Sequence, residues 1–516
     1  MRRYPFINKD FLKKNQKLIK YAGFFTGFAV LFLVVFIFIP ELMFARPGGG
    51  NSYSGGGSSG GGGGDGIAGL IIWLILQLPP QISIPLIILI VVFYYIKGKR
   101  ERKGTQTVSS APTYVNKSNG SSRVENSIEA LKTSDPNFSR LLFLDFVSSL
   151  YHKYYSFMGK KQLTDVRPFF AENIWNAAAS TSSAQQSISE IVIGNISFIS
   201  VFENEEYAGI TVDIHANYTL TSAGKSSRYI VTERWMFMRK RGVSSLAPEG
   251  MRDLKCPNCG AAGSFTDAGK CEYCDTFIQA GEMQWAVNQM TVIHQEVFST
   301  KGLAHYEQEV GTDYPTIVQP AINTYINRFT ELHKLPDWNT YWNNFTDNIA
   351  VAYFNEIYAA WSSLKWEKVR HLVSDRLYES YGFWIEAYKK ENLQNKLDNI
   401  SISRIDMAAI EVDKYYESFT VRIFASCLDY VENSKGKVLG GSKKSPRYFS
   451  EYWTFMRRAG VEIVESEFSL NNCPNCGAAA DKMGQAAVCE YCGTKISNGD
   501  FSWILTRIVQ DEEYTG

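Results

Sequence analysis

Two long runs of apolar residues near the N-terminus dominate the hydrophobic pattern of the chain. Residues 22–40 are 19 residues without a charge, and a helix of that length covers about 28 Å, close to the thickness of a hydrocarbon core. Residues 66–96 are also uncharged, but prolines interrupt their middle, and the run is too long for one straight span. The pattern predicts a transmembrane helix within residues 21–45 and a kinked, membrane-crossing segment within residues 66–97.

The flanks of these runs indicate the orientation of the chain. Residues 1–20 form a basic N-terminus with seven bases and one acid, and residues 97–103 hold five bases and one acid. Because basic residues are retained on the cytoplasmic side of a membrane, both flanks are expected there. Residues 46–65, which are rich in Gly and Ser, then form a flexible external loop.

A cleaved signal peptide ending at Ala45 is an alternative interpretation of the first run. Its apolar stretch is longer than the roughly 7 to 15 residues of such a segment, and Met43 is a poor match to the small residue expected at that position. In either case the second run and the basic residues after it leave the chain beyond Lys97 in the cytoplasm. The rest of the sequence is therefore expected to form cytoplasmic domains.

After a polar linker in residues 98–125, one alternating pattern occurs twice at an offset of 218 residues. The identical pairs are Glu233 and Glu451, Trp235 and Trp453, Phe237 and Phe455, and Arg239 and Arg457. Of the three intervening positions only one agrees, and a period of two with one face retained is typical of a half-buried strand. The sequence therefore predicts two copies of one domain, in residues 126–320 and 336–512.

Each copy begins with apolar residues spaced three and four apart, the pattern of an amphipathic helix. They are Phe143, Val147, Leu150, Tyr151 and Tyr154 in the first copy and Trp342, Phe345, Ile349, Tyr353, Ile357 and Trp361 in the second. Asp135 and Pro136 predict the N-cap and the first helical position of the first copy. The aromatic-rich residues 306–336 predict an extended connector. Because alternating strands follow the helices, we expect an α+β domain with helices packed on one face of an antiparallel sheet.

Eight of the nine cysteines form two matching quartets of Cys-x-x-Cys pairs. The quartets are Cys256, Cys259, Cys271 and Cys274, and Cys473, Cys476, Cys489 and Cys492. Two residues between thiolates allow both to reach one tetrahedral ion, and a following glycine allows the positive φ that closes the turn. The spacing predicts two structural zinc ions, held in zinc ribbons at residues 254–277 and 471–495. Each ribbon is inserted between two strands, in a β-hairpin.

Other interpretations of the cysteines are weaker. Disulfides are disfavoured in a reducing cytoplasm, and redox motifs usually use one Cys-x-x-Cys pair with an open thiolate. A closed four-cysteine site leaves no position for water, so it is expected to stabilise the fold and to carry out no chemistry. Cys427 lies in a strand pattern without a partner cysteine and is predicted to be a small core residue.

The overall charge gives no basic field that would attract nucleic acid. The chain has 53 Lys and Arg against 52 Asp and Glu, a net charge of +1. After residue 103 there are 40 basic and 48 acidic residues, a net charge of −8. The ribbon segments also carry little positive charge. The charge distribution therefore argues against a nucleic-acid partner.

Several motifs resemble bacterial membrane proteins of the Tim-forty-four-like (Tim44-like) family. The chain has a basic start, an apolar helix that runs into Ala45-Arg-Pro-Gly, a Gly/Ser loop, a second apolar segment, Ser134-Asp-Pro-Asn-Phe at a helix start and a late Glu-x-Trp-x-Phe strand. The resemblance implies the cone-shaped α+β fold shared with nuclear transport factor two, here as two tandem domains behind a transmembrane segment. It also implies a bacterial plasma (inner) membrane location.

The mitochondrial member of that family is a membrane-associated scaffold that recruits a chaperone to a protein translocase and contacts anionic lipid. This chain differs by its integral membrane segments, its two domain copies and its ribbons, so only the fold and the scaffold character carry over. We therefore expect a non-enzymatic adaptor, integral to the membrane lipid, whose paired domains bind protein partners or an apolar or lipid ligand in the cones. The resemblance also suggests a link to protein transport or membrane-protein assembly.

Two other functions remain open. Asp213 and His215 lie two apart on one strand face and would form an acid/base pair for an enzyme in the first cone. The matching positions of the second copy are Arg422 and Phe424, so we expect a solvated strand face and assign no catalytic residue. The second alternative is nucleic-acid recognition through the ribbons, which predicts an affinity that falls steeply with salt.

Overall fold

The computed structural model describes residues 114–514, except for 117–118, 159, 182–185, 264, 301–302, 304–310, 462–471, 480–482, 485 and 512. The predicted basic N-terminus, both apolar runs and the external loop lie outside the described residues. In the part that is described, none of the helices combines the length and the apolar character that a membrane crossing requires. The membrane topology therefore stays a prediction.

The first unit consists of helices followed by a four-stranded sheet. A short strand β1 (Tyr114–Asn116) precedes α1 (Asn119–Ser134), α2 (Arg140–Phe157), a 3-10 segment (Lys161–Phe169) and α3 (Glu172–Thr181). The sheet contains β2 (Gln186–Glu203), β3 (Tyr207–Ser222), β4 (Lys225–Lys240) and, after the short helix α4 (Pro248–Arg252) and the first cysteine quartet, β5 (Ala286–Val297). Its strand order is β2-β3-β4-β5, with every pair antiparallel. Because α1 begins at residue 119, the predicted linker is partly helical.

The second unit repeats this order of elements. It is preceded by β6 (Thr316–Val318), which pairs with β1, and α5 (Ile322–Leu332). Its helices are α6 (Trp338–Phe345), joined by a π-helical turn (Thr346–Ala350) to α7 (Val351–Ser362), and, after a 3-10 turn (Trp366–Val369), α8 (Asp375–Lys390). Its strands are β7 (Leu393–Val412), β8 (Tyr416–Asn433), β9 (Val438–Gly441), β10 (Arg447–Arg458) and β11 (Ile504–Gln510). The sheet order is β11-β10-β8-β7, with β9 paired to β8. The prediction of α+β structure with antiparallel sheets is confirmed.

The strand face that the two copies share is the buried face. Trp235 and Phe237 of β4 have no solvent exposure, and the ring centroid of Phe237 lies 5.3 Å from that of Phe143 in α2. Glu233 and Arg239, the other two shared positions, are 2% exposed. Packing against helices therefore explains why this face is the same in both copies, since a change in a close-packed core is costly.

The start of α2 differs from the prediction. Ser139 is the N-cap, and its hydroxyl accepts a hydrogen bond from the backbone N–H of Leu142 at 3.3 Å. Asp135 lies in the preceding turn, where its carboxylate accepts hydrogen bonds from Arg239 at 2.8 Å and from the backbone and hydroxyl of Ser245 at 2.9 and 2.7 Å. The prediction was wrong because Asp-Pro is also typical of turns, and the arginine partner is distant in sequence.

The described part of the connector between the units contains the short strand β6 and the helix α5. Ile322, Tyr325, Ile326 and Phe329 lie three and four apart on α5 and pack against the second core. Phe329 is fully buried, with its ring centroid 4.9 Å from that of Phe419. The expectation of an extended chain therefore fails for residues 322–332, because this spacing buries one continuous apolar face, which an extended chain would divide between two sides.

The core of the second unit includes Cys427, the cysteine that lies outside both quartets. Cys427 is 1% exposed and belongs to the cluster that contains the fully buried Trp453 and Phe455. The prediction of a small core residue is confirmed.

The two units are in direct contact. Tyr416 and Met456 of the second unit are buried in the core cluster of the first unit. Glu411 of the second unit pairs with Arg140 at 3.2 Å and with Lys132 at 3.8 Å. The two copies therefore pack together within one chain through both apolar and ionic contacts.

Candidate metal centres

The four cysteines of each quartet converge. In both quartets all four Sγ atoms lie within 4.8 Å of one another. The shorter Sγ to Sγ distances are 3.9 Å for Cys256 and Cys274, 3.9 Å for Cys259 and Cys271, 3.8 Å for Cys473 and Cys492, and 3.7 Å for Cys476 and Cys489. Four sulfurs at about 2.3 Å from a tetrahedral zinc ion lie about 3.8 Å apart, whereas a disulfide requires about 2.05 Å. Both quartets can hold a metal ion, and their geometry is consistent with zinc.

Residues in the left-handed region of the backbone close the cysteine turns. The N–H of Gly260 donates to the carbonyl of the first cysteine of its pair at 2.8 Å with a φ of +73°, and Gly477 does the same at 2.8 Å with a φ of +75°. Gly493 closes the last turn of the second ribbon with a φ of +69°, and Asp275 occupies the equivalent place in the first ribbon with a φ of +59°. These conformations explain the glycine after three of the four Cys-x-x-Cys pairs, because a side chain adds strain there.

A hydrogen bond joins the two halves of each ribbon. The Asn258 amide donates to the Thr276 hydroxyl at 2.8 Å, and the equivalent bond of the second ribbon is also 2.8 Å long. Hydrogen bonds from Thr276 and Asn258 lower the pKa of the Cys274 thiol to about 6, and equivalent bonds lower the pKa of Cys492 to about 6. Because a thiolate is the form that binds metal, these two sulfurs are ready ligands at neutral pH.

Each ribbon is attached to the helical part of its own unit. Arg167 donates to the backbone carbonyl of Asp267 in the first ribbon at 3.2 Å. In the second unit, the carboxylate of Asp375 at the start of α8 accepts hydrogen bonds from Lys495 at 2.6 Å and from Ser497 at 2.8 Å. Since the ribbons also connect the last two strands of each sheet, they hold helices and sheet edge together.

The tips of the ribbons expose aromatic rings. Tyr273 and Tyr491, which occupy the same place in the two Cys-Glu-Tyr-Cys sequences, are 70% and 71% exposed, and Phe277 is 59% exposed. We call Tyr273 with Phe277 the first ribbon tip and Tyr491 the second ribbon tip. The shared asparagines and glycines of the ribbons have structural roles, whereas exposed rings at a shared position are typical of anchors in protein interfaces.

Comparison with known families bears on the second unit. Residues 341–469 match the family model of the Tim44-like domain. The match begins in α6 and extends beyond β10, so it includes most of the second sheet and the helices that cover it. The match supports the family assignment of this one domain. The assignment of the first copy depends only on the internal repeat. The comparison with curated proteins finds no match. At the family level, a Tim44-like domain fits an adaptor related to protein transport.

The structure places Asp213 and His215 on one face of β3 but does not bring them together as a pair. Both carboxylate oxygens of Asp213 accept hydrogen bonds from Arg234 on β4, at 2.7 and 2.8 Å. The Nδ1 atom of His215 lies 3.0 Å from the hydroxyl oxygen of Thr232. Each side chain thus contacts the neighbouring strand, which is the arrangement expected of cross-strand pairs on a sheet face.

The shared Glu-x-Trp sequence places a buried carboxylate, Glu233 or Glu451, in the interior of each unit. Glu233 accepts hydrogen bonds from Tyr151 at 3.0 Å, Tyr155 at 2.7 Å and the Trp235 indole at 3.0 Å. Glu451 accepts equivalent bonds of 2.9 and 3.0 Å from a tyrosine and a tryptophan of its own unit. Burial raises the pKa of Glu233, and the hydrogen bonds oppose that effect. The shared Glu-x-Trp pattern is thus explained by a structural polar contact inside the core.

A cleft of about 940 Å³ lies at the junction of the two units. Its walls include α1, α5 and the turn between β7 and β8, and they carry charges of both signs. Lys132 on one wall pairs with Glu129 at 2.9 Å and with Glu411 on the opposite wall at 3.8 Å. These two ion pairs offset part of the charge that lines the cleft.

The cysteine spacing predicts the metal ligands, but neither the ribbon tips nor a pair of arginines at the junction of the units, Arg376 and Arg507, was predicted. The ribbon-tip tyrosines were visible as identical residues within the two quartets. The arginines carried no local signal, because the segments that contain them are far apart in sequence.

Proposed function

We propose that this protein is a membrane-anchored, non-enzymatic adaptor that binds a protein partner through its two ribbon tips. The observation that carries the proposal is the same exposed tyrosine on each of two closed four-cysteine sites. A bivalent surface of this kind binds a partner with two matching segments more tightly than either tip would alone. The match to the Tim44-like domain favours a partner connected with protein transport.

The ribbons are proposed to hold zinc. A zinc ion bound by four thiolates has no position for a reacting water, so its role is to stabilise the fold. With the metal bound, each turn presents its tyrosine on a fixed backbone. Such preorganisation reduces the conformational entropy that is lost on binding.

We favour a protein partner over an apolar ligand inside the units. In the first unit Phe143, Phe146 and Phe237 pack against one another, with centroid distances between 5.3 and 6.1 Å. In the second unit Phe345 lies 5.4 Å from Phe455. Aromatic side chains in mutual contact occupy the space that an apolar ligand would need.

The geometry of Asp213 also supports a function without catalysis. Both oxygens of this carboxylate accept hydrogen bonds from Arg234, so the group is held in a fixed orientation and its oxygens are already engaged. The double variant Asp213→Asn with His215→Ala should therefore leave partner binding unchanged. A turnover of any metabolite by the purified protein that disappears in this variant would support the enzyme alternative instead.

The adaptor proposal is tested by quantitative affinity capture of the full chain in mild detergent. Tyr273→Ser and Tyr491→Ser should each reduce recovery of the same partner, and the double variant should abolish it, because two linked contacts are lost together. Tyr448→Ser is the matched control, since Tyr448 is 60% exposed but lies on β10 away from the ribbons. Equal recovery with the double variant and the wild type would contradict the proposal.

A further inference from the structure

Two arginines of the second unit lie side by side at the edge of its sheet. Arg376 is in the first turn of α8, and Arg507 is in β11. The backbone N–H of Ser374 donates to the carbonyl of Leu505 at 2.9 Å, which aligns the two segments in parallel two residues before each arginine. Both side chains are partly buried.

Neither arginine has a carboxylate partner. Among the described residues, no carboxylate oxygen lies within 4.0 Å of the guanidinium of Arg376 or Arg507. Nη1 of Arg376 and Nε of Arg507 have neither solvent exposure nor a hydrogen-bond partner. Buried hydrogen-bond donors of charged groups normally have an acceptor. We therefore expect an anionic acceptor to bind next to these two guanidinium groups.

The charged groups near the two arginines do not supply this acceptor. Burial and the neighbouring Arg376 and Arg140 lower the pKa of Arg507 to about 10, against the opposing effects of Tyr514 and Glu513. Arg140 comes from α2 of the first unit, so positive charges of both units meet here. Like charges at close range destabilise one another unless an anion lies between them.

Two acidic groups in the vicinity are already engaged. Burial lowers the pKa of Arg376, and the nearby carboxylate of Asp145 opposes that effect. The same carboxylate accepts a hydrogen bond from Arg252 at 2.8 Å. Glu411 pairs with Arg140 at 3.2 Å. Asp145 and Glu513 thus offset part of the charge of Arg376 and Arg507, but among the described residues neither carboxylate forms an ion pair with these arginines.

The first unit has the same backbone contact without the charges. There the N–H of Ala171 donates to the carbonyl of Val287 at 2.9 Å. The residues two positions further on, which correspond to the arginines, are Asn173 and Gln289, and both are exposed. The fold of the unit thus does not require arginine at these two places, and the charges belong to a feature of the second unit alone.

We propose that Arg376 and Arg507 form a binding site for a small, doubly charged oxyanion of the phosphate type at the junction of the two units. Two unpaired guanidinium groups match two negative charges, and their planar donor forks fit the oxygens of such an ion. Part of each side chain remains in contact with solvent, which gives the ion access. A bound ion would also offset the repulsion with Arg140 and so hold the second unit against the first.

The test is titration of the full chain with inorganic phosphate, followed by calorimetry and by thermal unfolding. Phosphate should raise the unfolding midpoint above that in chloride of equal ionic strength, because a ligand of the folded state stabilises it by mass action. Arg376→Asn and Arg507→Gln introduce the residues of the first unit, and each should weaken phosphate affinity at least about ten-fold. Arg328→Gln, which removes an exposed arginine elsewhere, should leave the affinity unchanged.

Two further measurements separate a binding site from a structural role. Without phosphate, Arg507→Gln should be at least as stable as the wild type, because repulsion is relieved. A loss of stability that is equal with and without phosphate would overturn the proposal, as would an equal phosphate effect in the wild type and the variants. Acetate should bind more weakly than phosphate, and equal binding of acetate would contradict a doubly charged ligand.

Discussion

The inner faces of the two sheets agree with each other, whereas their outer faces have diverged. On the outer face of the first sheet Arg234 pairs with Asp213 at 2.7 Å, with side chains 42% and 12% exposed. The equivalent face of the second sheet holds Arg422, which pairs with Asp511 at 3.0 Å, with side chains 1% and 2% exposed. The same backbone thus carries a solvated ion pair in one unit and a buried ion pair in the other.

Segments outside the repeated unit account for this difference. In the second unit the N–H of Ile317 in β6 donates to the Tyr452 hydroxyl at 2.9 Å, and the Thr316 hydroxyl donates to Asp406 at 2.7 Å. The ring of Tyr514 stacks on Tyr452 with centroids 3.7 Å apart. The inner face is constrained by the shared core, while the outer face adapts to the chain that covers it.

The two units should behave alike in their ribbons. Loss of the metal ion from one ribbon should have the largest effect on the stability of the chain. Cys473→Ser and Cys256→Ser should each lower the metal content from two ions per chain to one. Thermal stability should fall as well, because structural zinc contributes on the order of 10 kcal/mol in zinc-finger peptides. Elemental analysis and thermal unfolding of the full chain measure both effects. Two ions per chain in either variant would contradict a closed four-cysteine site.

The outer faces should respond differently to the loss of their arginines. Arg422→Met removes the arginine from its buried ion pair with Asp511 and should cost about 3–5 kcal/mol. Arg234→Met removes a partly exposed pair and should cost at most about 1 kcal/mol. Urea unfolding of the two variants measures the difference. Equal losses of unfolding free energy in the two variants would show that burial of the outer face of the second sheet does not determine the strength of its ion pair.

The smallest expected effect is a pH dependence in the first unit. Burial raises the pKa of Glu233 above its ordinary value of 4.5, against the hydrogen bonds from Tyr155 and Trp235. For an acid with a raised folded-state pKa, the stabilising contribution is complete below the unfolded value and is lost as the pH rises through the folded value. Relative to Glu233→Gln, the wild type should therefore lose stability as the pH rises above 4.5. A difference in unfolding free energy that stays constant from acid to neutral pH would contradict this account.

The sequence predicted the features that depend on local spacing. The period of two at Trp235 and Phe237 predicted the core face of β4, and the paired Cys-x-x-Cys turns predicted the two four-cysteine clusters that can hold a metal ion. Both features repeat within the chain, which separates a constrained position from a chance match. The helices that begin each unit were also predicted, from apolar residues spaced three and four positions apart.

The features that sequence could not predict depend on contacts between distant segments. Asp135 was interpreted as a helix cap because its partner Arg239 lies 2.8 Å away only after folding. The burial of Arg422 follows from β6, which is far from β8 in sequence. For the same reason the pair of arginines at Arg376 and Arg507 became visible only when α8 and β11 were placed side by side.

Site-specific photo-crosslinking tests the adaptor proposal most directly. A photoreactive residue introduced in place of Tyr273, Tyr491 or Tyr448 of the full chain, expressed in cells, reports what each position contacts. The proposal predicts that positions 273 and 491 yield the same adduct, that chelation of the metal abolishes it, and that position 448 does not form it. Adducts that differ between the two ribbon tips, or that form equally at position 448, would contradict a shared docking surface.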